Sequence, residues 1–295
     1  MVQRELAFYL NPSGPDRRAI LQLLAARGIR RIGIDGFPWD PERDPEAFGR
    51  FHRDLADTGL SVHSMHAVPP LVADANGTPA DLLAALAADL ARLAAAGGKT
   101  AVYHACWMRD VAPEHFDEEI RRVGWPTFRA TFAATVSLVA RRAARHGITV
   151  VLENIWHSSY ARSAAPILEI LELVSEPNVG LCLDAGHAHI AGCSVADEIR
   201  TAGARLRDTH FHDNRGPQGN TYPDQHLPPG LGTIDWQEAC RALNDIAFAG
   251  PVVFEGVLGP GDSVPKGRFG GAQSHADLIE ITVRNWRAFE ALASV

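Results

Sequence analysis

Short apolar or β-branched runs alternate along the chain with longer stretches in which apolar residues recur at helical spacing. Eight short runs predict strands, and a predicted helix follows each of them. The predicted strands are Leu6–Leu10, Arg31–Asp35, Ser61–His66, Thr100–His104, Ile148–Glu153, Val179–Asp184, Leu206–His210 and Val252–Glu255. The predicted helices are Asp16–Arg27, Pro45–Thr58, Pro79–Ala96, Thr127–His146, Ala164–Val174, Val195–Thr201, Trp236–Ile246 and Ser274–Ala291.

Eight consecutive strand–helix units without a break in composition indicate an α/β protein with a parallel sheet. A single (β/α)8 TIM barrel over residues 1–295, forming one domain, accounts for all of them. The alternative is an open doubly wound sheet. The sequence disfavours it, because no Gly-x-Gly-x-x-Gly motif follows the first predicted strand.

The last four predicted strands end in side chains that can bind a metal ion: Glu153, Asp184, His210 and Glu255. A charged or polar group at the end of a buried strand is costly unless a partner compensates it. In a parallel barrel the carboxyl ends of the strands meet on one face, which also carries the active site. The pattern therefore predicts one metal centre on that face.

The third and fourth predicted strands end in His66 and His104, which are interpreted either as functional groups or as hydrogen-bonded core residues. The four predicted ligands offer mainly oxygen, which favours Mn²⁺, Mg²⁺ or Co²⁺, with Zn²⁺ as the alternative. Such a site would polarise a substrate carbonyl and stabilise an enediolate. Glu153 and Glu255, on non-adjacent strands, would then act as a general acid–base pair.

Net charge limits the class of binding partner, and cysteine usage indicates the cellular compartment. The net charge of −7 supports solubility and disfavours a nucleic acid or an anionic membrane as partner. No apolar run reaches 18 residues, and the four cysteines form no Cys-x-x-Cys pair, so we expect a reduced cytoplasmic protein without a membrane span.

Two segments, Met108–Pro126 and Leu258–Gln273, look inserted into the repeating pattern. The second follows the last strand on the predicted catalytic face. A lid, a subunit contact and a disordered loop all remain open for them, and the sequence leaves a homodimer or homotetramer open.

Five motifs in the second half of the chain resemble one known family. They are Leu152-Glu153-Asn154, Leu183-Asp184-Ala185-Gly186-His187, His210-Phe211-His212-Asp213-Asn214, the stretch from Asp224-Gln225-His226 to Gly230-Leu231-Gly232-Thr233-Ile234-Asp235-Trp236, and Phe254-Glu255. Together they resemble the xylose-isomerase-like (β/α)8 superfamily of sugar phosphate isomerases and epimerases, with endonuclease IV as a more distant relative. The motifs are specific for the superfamily and weak for the substrate.

The resemblance to ketose 3-epimerases implies a metal-dependent isomerase or epimerase of a small sugar, or of a sugar-like polyol or keto acid. It implies Glu153, Asp184, His210 and Glu255 as metal ligands, with the two glutamates also acting on protons. His187 and Arg215 are the implied substrate contacts. His66, His104 and Trp107 are further expected pocket residues, and Asp224 and His226 are expected either in the pocket or at an additional metal.

Two other activities on the same scaffold remain as alternatives. The three-zinc site of endonuclease IV would use nine residues that are formally present: His66, His104, Glu153, Asp184, His187, His210, Asp224, His226 and Glu255. A dehydratase or lyase is the other alternative. Trp107 and Trp156 near strand ends favour a compact aromatic pocket for a small substrate over a wide DNA groove. One departure is Leu231, where family members often carry an acidic residue.

Overall fold

A computed structural model describes residues 3–36, 39, 43–67, 71–72, 80–108, 111–217, 223–258 and 274–294. The strands are β1 Leu6–Leu10, β2 Arg31–Asp35, β3 Ser61–His66, β4 Thr100–His104, β5 Thr149–Glu153, β6 Val179–Asp184, β7 Leu206–His210 and β8 Val252–Phe254. The helices are α1 Arg17–Ala26, α2 Pro45–Thr58, α3 Ala80–Ala95, α4 Phe116–Val123, α5 Trp125–Ala144, α6 Ala164–Leu171, α7 Ala185–Ile190, α8 Val195–Ala202, α9 Trp236–Asp245 and α10 His275–Leu292.

The strands β1 to β7 pair in parallel in chain order, and β8 pairs in parallel with β1. The sheet closes on itself between β7 and β8. At this seam the Phe211 N–H donates to the Val253 carbonyl at 2.8 Å, and the Val253 N–H donates to Thr209 Oγ1 at 3.0 Å. The predicted (β/α)8 barrel is confirmed.

The predicted elements agree with the observed ones to within three residues at each end. The strand β5 begins at Thr149 instead of Ile148, and β8 ends at Phe254, so Glu255 lies just beyond its strand. Two helices were not predicted. One is α7, and the other is α4, which lies inside the segment Met108–Pro126.

The interior of the barrel is filled below the strand ends. Val102, Val151 and Cys182 form one buried cluster, and Ala7, Tyr9 and Val253 form another. Successive strand side chains point to opposite faces, so a residue two positions further along points inward again. His104, Glu153, Asp184 and Glu255 each follow a cluster member by two positions and lie directly above this apolar plug.

The segment Met108–Pro126 contains ordered structure. Pro113–His115 forms a 3-10 turn that leads into α4. The Asp117 carboxylate of α4 accepts hydrogen bonds from Ser158 Oγ at 2.7 Å and from the Ser159 N–H at 3.0 Å, in the loop after β5. In the other predicted insertion, Leu258–Gln273, only Leu258 belongs to the described residues. No described helix has both the length and the apolarity needed to cross a bilayer.

Candidate metal centre

Four side chains converge at the carboxyl ends of the last four strands. Glu153, Asp184, His210 and Glu255 each contribute one nitrogen or oxygen, and these four atoms lie within 4.8 Å of one another. The Nδ1 atom of His210 lies 3.0 Å from Glu153 Oε1 and 3.2 Å from Glu255 Oε2. The predicted metal ligands therefore meet in one place.

The contacts within this group leave buried polar atoms unpaired. Both carboxylate oxygens of Glu153 and Nδ1 of His210 are buried, and none of them makes a hydrogen bond of acceptable geometry within the described residues. An unpaired buried carboxylate is strongly destabilising unless a cation compensates it. A divalent ion at the shared position would satisfy all three atoms, so the residues fit a metal.

Both glutamates are ionised at neutral pH. Burial alone would raise the pKa of Glu153, but the neighbouring His210 and His66 outweigh burial and hold that pKa well below its usual range. Burial likewise opposes ionisation of Glu255, and attraction to His210 nevertheless lowers its pKa to about 2. Ionised carboxylates are the form in which glutamate binds a metal and accepts a proton.

The motif residues around Asp184 fix the orientation of its carboxylate. Its Oδ1 accepts the His187 N–H at 2.6 Å and caps α7, while its Oδ2 is 3.1 Å from Nε2 of His212. The amide of Asn154 exchanges two hydrogen bonds with the backbone of Asp184, at 2.7 and 2.9 Å. The Leu-Glu-Asn and Leu-Asp-Ala-Gly-His motifs are thus joined directly.

Two glycines make room for imidazole rings: Gly186 of the Leu-Asp-Ala-Gly-His motif, and Gly256, which directly follows Glu255. A Cβ atom on Gly186 would lie 1.9 Å from Cε1 of His212, and one on Gly256 would lie 2.3 Å from Cδ2 of His226. The two imidazoles stack with their centroids 4.0 Å apart. His212 was not among the predicted site residues, although its position two residues after His210 places both side chains on the same face.

Asp213 organises the loop that carries Asp224 and His226. Its Oδ2 accepts hydrogen bonds from the Gly230 N–H at 2.8 Å, the Gly232 N–H at 3.0 Å and Trp236 Nε1 at 2.9 Å. Its Oδ1 accepts the N–H groups of Asn214 and Ile234 at 2.9 and 3.2 Å. The Pro-Gly-Leu-Gly turn is therefore shaped by a buried carboxylate, and the side chain of Leu231 takes no part in these bonds.

A cavity of about 560 Å³ opens above the metal group, and Glu153 and Glu255 lie in its wall. Five histidines line it: His66, His104, His157, His187 and His226. Its other lining residues are Asp35, Trp107, Ile155, Trp156 and Asp224. The expected pocket residues His66, His104, Trp107, His187, Asp224 and His226 are all present, whereas Asp35 and His157 were not predicted.

The aromatic wall of the cavity is supported from α4. The rings of His104 and Trp107 stack at 5.5 Å, and Trp107 meets Phe116 edge to face at 5.4 Å. The hydrogen bonds that Asp117 accepts from Ser158 and Ser159 anchor the loop after β5, which also carries Trp156. The helix α4 in the segment Met108–Pro126 therefore supports the wall of the cavity from behind, and none of the described residues of that segment lines the cavity.

Asp35 is the last residue of β2 and pairs in register with His66 of β3. Its side chain is exposed to the cavity, and the partial loss of hydration there, together with repulsion from Glu255, raises its pKa to about 6. Asp35 obeys the same strand-end pattern as the predicted ligands. The predicted strand Arg31–Asp35 ends in this carboxylate, so the strand-end pattern extends to β2 and contains the signal for Asp35.

Other groups at the cavity could also hold an ion. Nε2 of His66 lies 3.1 Å from Nε2 of His104 and 3.2 Å from Oε2 of Glu153. Two further sets are Asp184 with His187 and His212, and His212 with Asp224 and His226.

Burial and the neighbouring His66 lower the pKa of His104 to about 3, while burial and His212 lower that of His226 to about 4. Both imidazoles are neutral at physiological pH.

Arg215 is not brought to the cavity by the described structure. Its side chain is exposed, and its backbone N–H donates to Gln225 Oε1 at 3.1 Å. It is absent from the described residues that line the cavity. Its role as a substrate contact stays a prediction.

Comparison with known proteins assigns the family. Residues 21–268 match the sequence model of the xylose isomerase-like TIM barrel family. The chain belongs to this family, which confirms the resemblance inferred from the motifs.

Several relatives are named as epimerases or isomerases. The ketose 3-epimerase of Arthrobacter globiformis is 33% identical over 129 residues, which cover 43% of this chain and 41% of that protein. The inosose isomerase of Bacillus subtilis is 29% identical over 112 residues, covering 37% and 40%. The chain thus aligns with about two fifths of the length of these curated relatives. A crystal structure of D-psicose 3-epimerase, determined in the presence of D-fructose, shares the fold, with a TM-score of 0.73 and 18% identity over 99% of this chain and 100% of that one.

Proposed function

We propose that this protein is a metal-dependent isomerase or epimerase of a small sugar or sugar-like polyol or keto acid, acting through an enediolate. One observation carries the proposal. Two ionised glutamates, Glu153 and Glu255, flank a buried position that is suited to a cation and opens into a cavity. The names of the relatives support the same class of reaction.

Glu153, Asp184, His210 and Glu255 would hold the divalent ion, for which Mn²⁺, Mg²⁺ or Co²⁺ is favoured by the oxygen-rich set. When bound, the ion supplies charge that polarises a carbonyl oxygen of the substrate. One glutamate removes a proton from the carbon next to the carbonyl, and the other returns a proton to an adjacent carbon or to the opposite face. His187 and the other cavity histidines offer hydrogen bonds to the substrate hydroxyl groups.

The described lining of the cavity favours a small substrate. Its volume of about 560 Å³ suits a small molecule, and two tryptophans provide apolar surface. Within the described part of the chain, no lysine or arginine lines it. Among the described lining residues, the histidines are the groups that could bind an anionic substituent.

We expect the purified protein to contain one Mn²⁺, Mg²⁺ or Co²⁺ per chain, measured by elemental analysis after dialysis against metal-free buffer. Asp184→Ala should lose this ion, because it removes one of four ligands. Asp224→Asn is the matched control and should retain it, because Asp224 lies in the cavity wall outside that set. Two or three zinc ions per chain, reduced in Asp224→Asn, would instead support a polynuclear site.

The second candidate is a polynuclear zinc hydrolase of phosphodiesters. The additional groups around His66, His104 and Asp224 favour it, because each could bind a further ion. A dehydratase or lyase would use the first ion alone. We retain the expectation that these residues contact or orient the substrate and bind no further metal.

We expect no measurable binding or incision of duplex DNA containing an abasic site at physiological salt, with or without added Zn²⁺. DNA binding requires neutralisation of several phosphates, whereas this chain has a net charge of −7. The loops 37–43, 108–126 and 214–229 together carry more acidic than basic residues. Incision by pure protein that disappears in His104→Ala would favour the hydrolase.

A further inference from the structure

The ring of His210 has a second partner on the side away from the glutamates. Its Nε2 lies 3.2 Å from the hydroxyl oxygen of Tyr9, which comes from β1. The two rings meet edge to face, with centroids 4.8 Å apart and an interplanar angle of 76°. Both side chains are buried inside the barrel, where His210 has no exposed surface.

With an ion bound, the tautomer of the ring follows from what each nitrogen faces. Nδ1 of His210 points to Glu153 and Glu255, so binding of an ion there requires a free lone pair on Nδ1. A neutral imidazole then carries its proton on Nε2. That N–H would be costly in the barrel interior without an acceptor, and the oxygen of Tyr9 supplies one.

The tyrosine ring has a prepared place. Tyr9 pairs in register with Gly33 of β2, and a Cβ atom on Gly33 would lie 2.2 Å from Cε2 of Tyr9. Ala7 and Val253 pack beside it in the interior cluster. Within the described structure Tyr9 is not part of the cavity wall, so Tyr9 would affect the metal group through its contact with His210.

We propose that Tyr9 is a positioning residue for the metal centre, which accepts the Nε2 proton of His210 and so presents Nδ1 to the ion. The inference rests on the proposed metal site. The inference adds to the proposed metal site, because it assigns control of the tautomer and orientation of the ligand His210 to Tyr9 in the first strand. Hydrogen-bond partners of metal-binding histidines typically contribute about 10–100-fold in metal affinity.

The test is Tyr9→Phe, which removes the hydroxyl and keeps the ring. We expect the Kd for Mn²⁺, measured by calorimetric titration of metal-free protein, to rise about 10–100-fold. The rise in melting temperature on adding metal should shrink correspondingly, because ligand stabilisation depends on the concentration of ligand relative to Kd. The visible absorption of the Co²⁺-loaded protein should also change, because it reports the geometry of the ligands.

Tyr103→Phe is the matched control. Tyr103 is also a fully buried strand tyrosine, and its hydroxyl makes no hydrogen bond within the described residues. Its substitution should leave the Kd for Mn²⁺ unchanged. A role of Tyr9 in folding alone would lower the melting temperature of the metal-free protein and leave the Kd as in the wild type.

Three outcomes would overturn the proposal. Mn²⁺ affinity of Tyr9→Phe within twofold of wild type would show that the hydroxyl does not position the ligand. An equal loss of affinity in Tyr103→Phe would assign the effect to general packing. Failure of the wild-type protein to bind any divalent ion would overturn the proposed metal centre as well, so the two failures are distinguishable.

Discussion

Glu153→Gln and Glu255→Gln should each lower kcat by more than about 10⁴-fold while the protein remains folded. General acid–base catalysis alone contributes about 10²–10⁴-fold. Each glutamate is proposed both to bind the ion and to carry a proton, so its loss should exceed that range. Turnover at saturating metal measures the effect. Exchange of a carbon-bound substrate proton with deuterated solvent should be present in the wild type and lost in both variants.

Glu118→Gln provides the control for these substitutions, because Glu118 is an exposed residue of α4 with no contact to the cavity wall. It should leave kcat unchanged. Activity of either active-site variant within tenfold of wild type corresponds to only about 1.4 kcal/mol of barrier. Such a result would contradict the assigned role.

Asp213→Ala should produce the largest loss of stability, about 3–5 kcal/mol in the free energy of unfolding. The substitution removes the acceptor for five N–H groups, four from the backbone and one from the Trp236 indole. The donors of Asn214, Ile234 and Trp236 are buried, and each costs about 1–3 kcal/mol when left without a partner, whereas the N–H groups of Gly230 and Gly232 lie nearer to solvent. Equilibrium unfolding in urea measures the change, and activity should fall with it because the loop carries Asp224 and His226.

Asp235→Ala is the companion variant. Asp235 caps the N terminus of α9 by accepting the Glu238 N–H at 3.0 Å, and it is exposed. Loss of such a cap costs about 0.5–2 kcal/mol. Equal destabilisation by the two substitutions would show that the hydrogen bonds of Asp213 stabilise the protein no more than one exposed helix cap does.

The strands could be predicted closely because each is a short apolar run that ends at a polar residue. The helix α7 could not, because its six residues include a glycine and two histidines and are too few to show a period. It forms because Asp184 caps it and because Gly186 packs against His212. The helix α4 was missed for a related reason: its eight residues bury only Phe116 and Ile120.

The candidate site was predictable where it depends on strand ends and not where it depends on long-range bonds. Glu153, Asp184 and His210 follow from the alternation of side chains along parallel strands. The contact of His212 with Asp184 and four of the five hydrogen bonds of Asp213 join residues that are 17 to 28 positions apart in sequence. Motif spacing contains no information about which atoms would meet.

All four proposed ligands lie at the ends of β5 to β8, whereas Asp35, His66, His104 and Trp107 of the cavity wall follow β2 to β4. The strand ends and loops of β2 to β4 therefore shape part of the cavity wall without supplying any of the four proposed ligands. Changes in the loops of the first half would alter which molecule fits without disturbing the donor set. Substrate range could then diverge during evolution, or be redirected by engineering, while the proton chemistry is preserved in the second half.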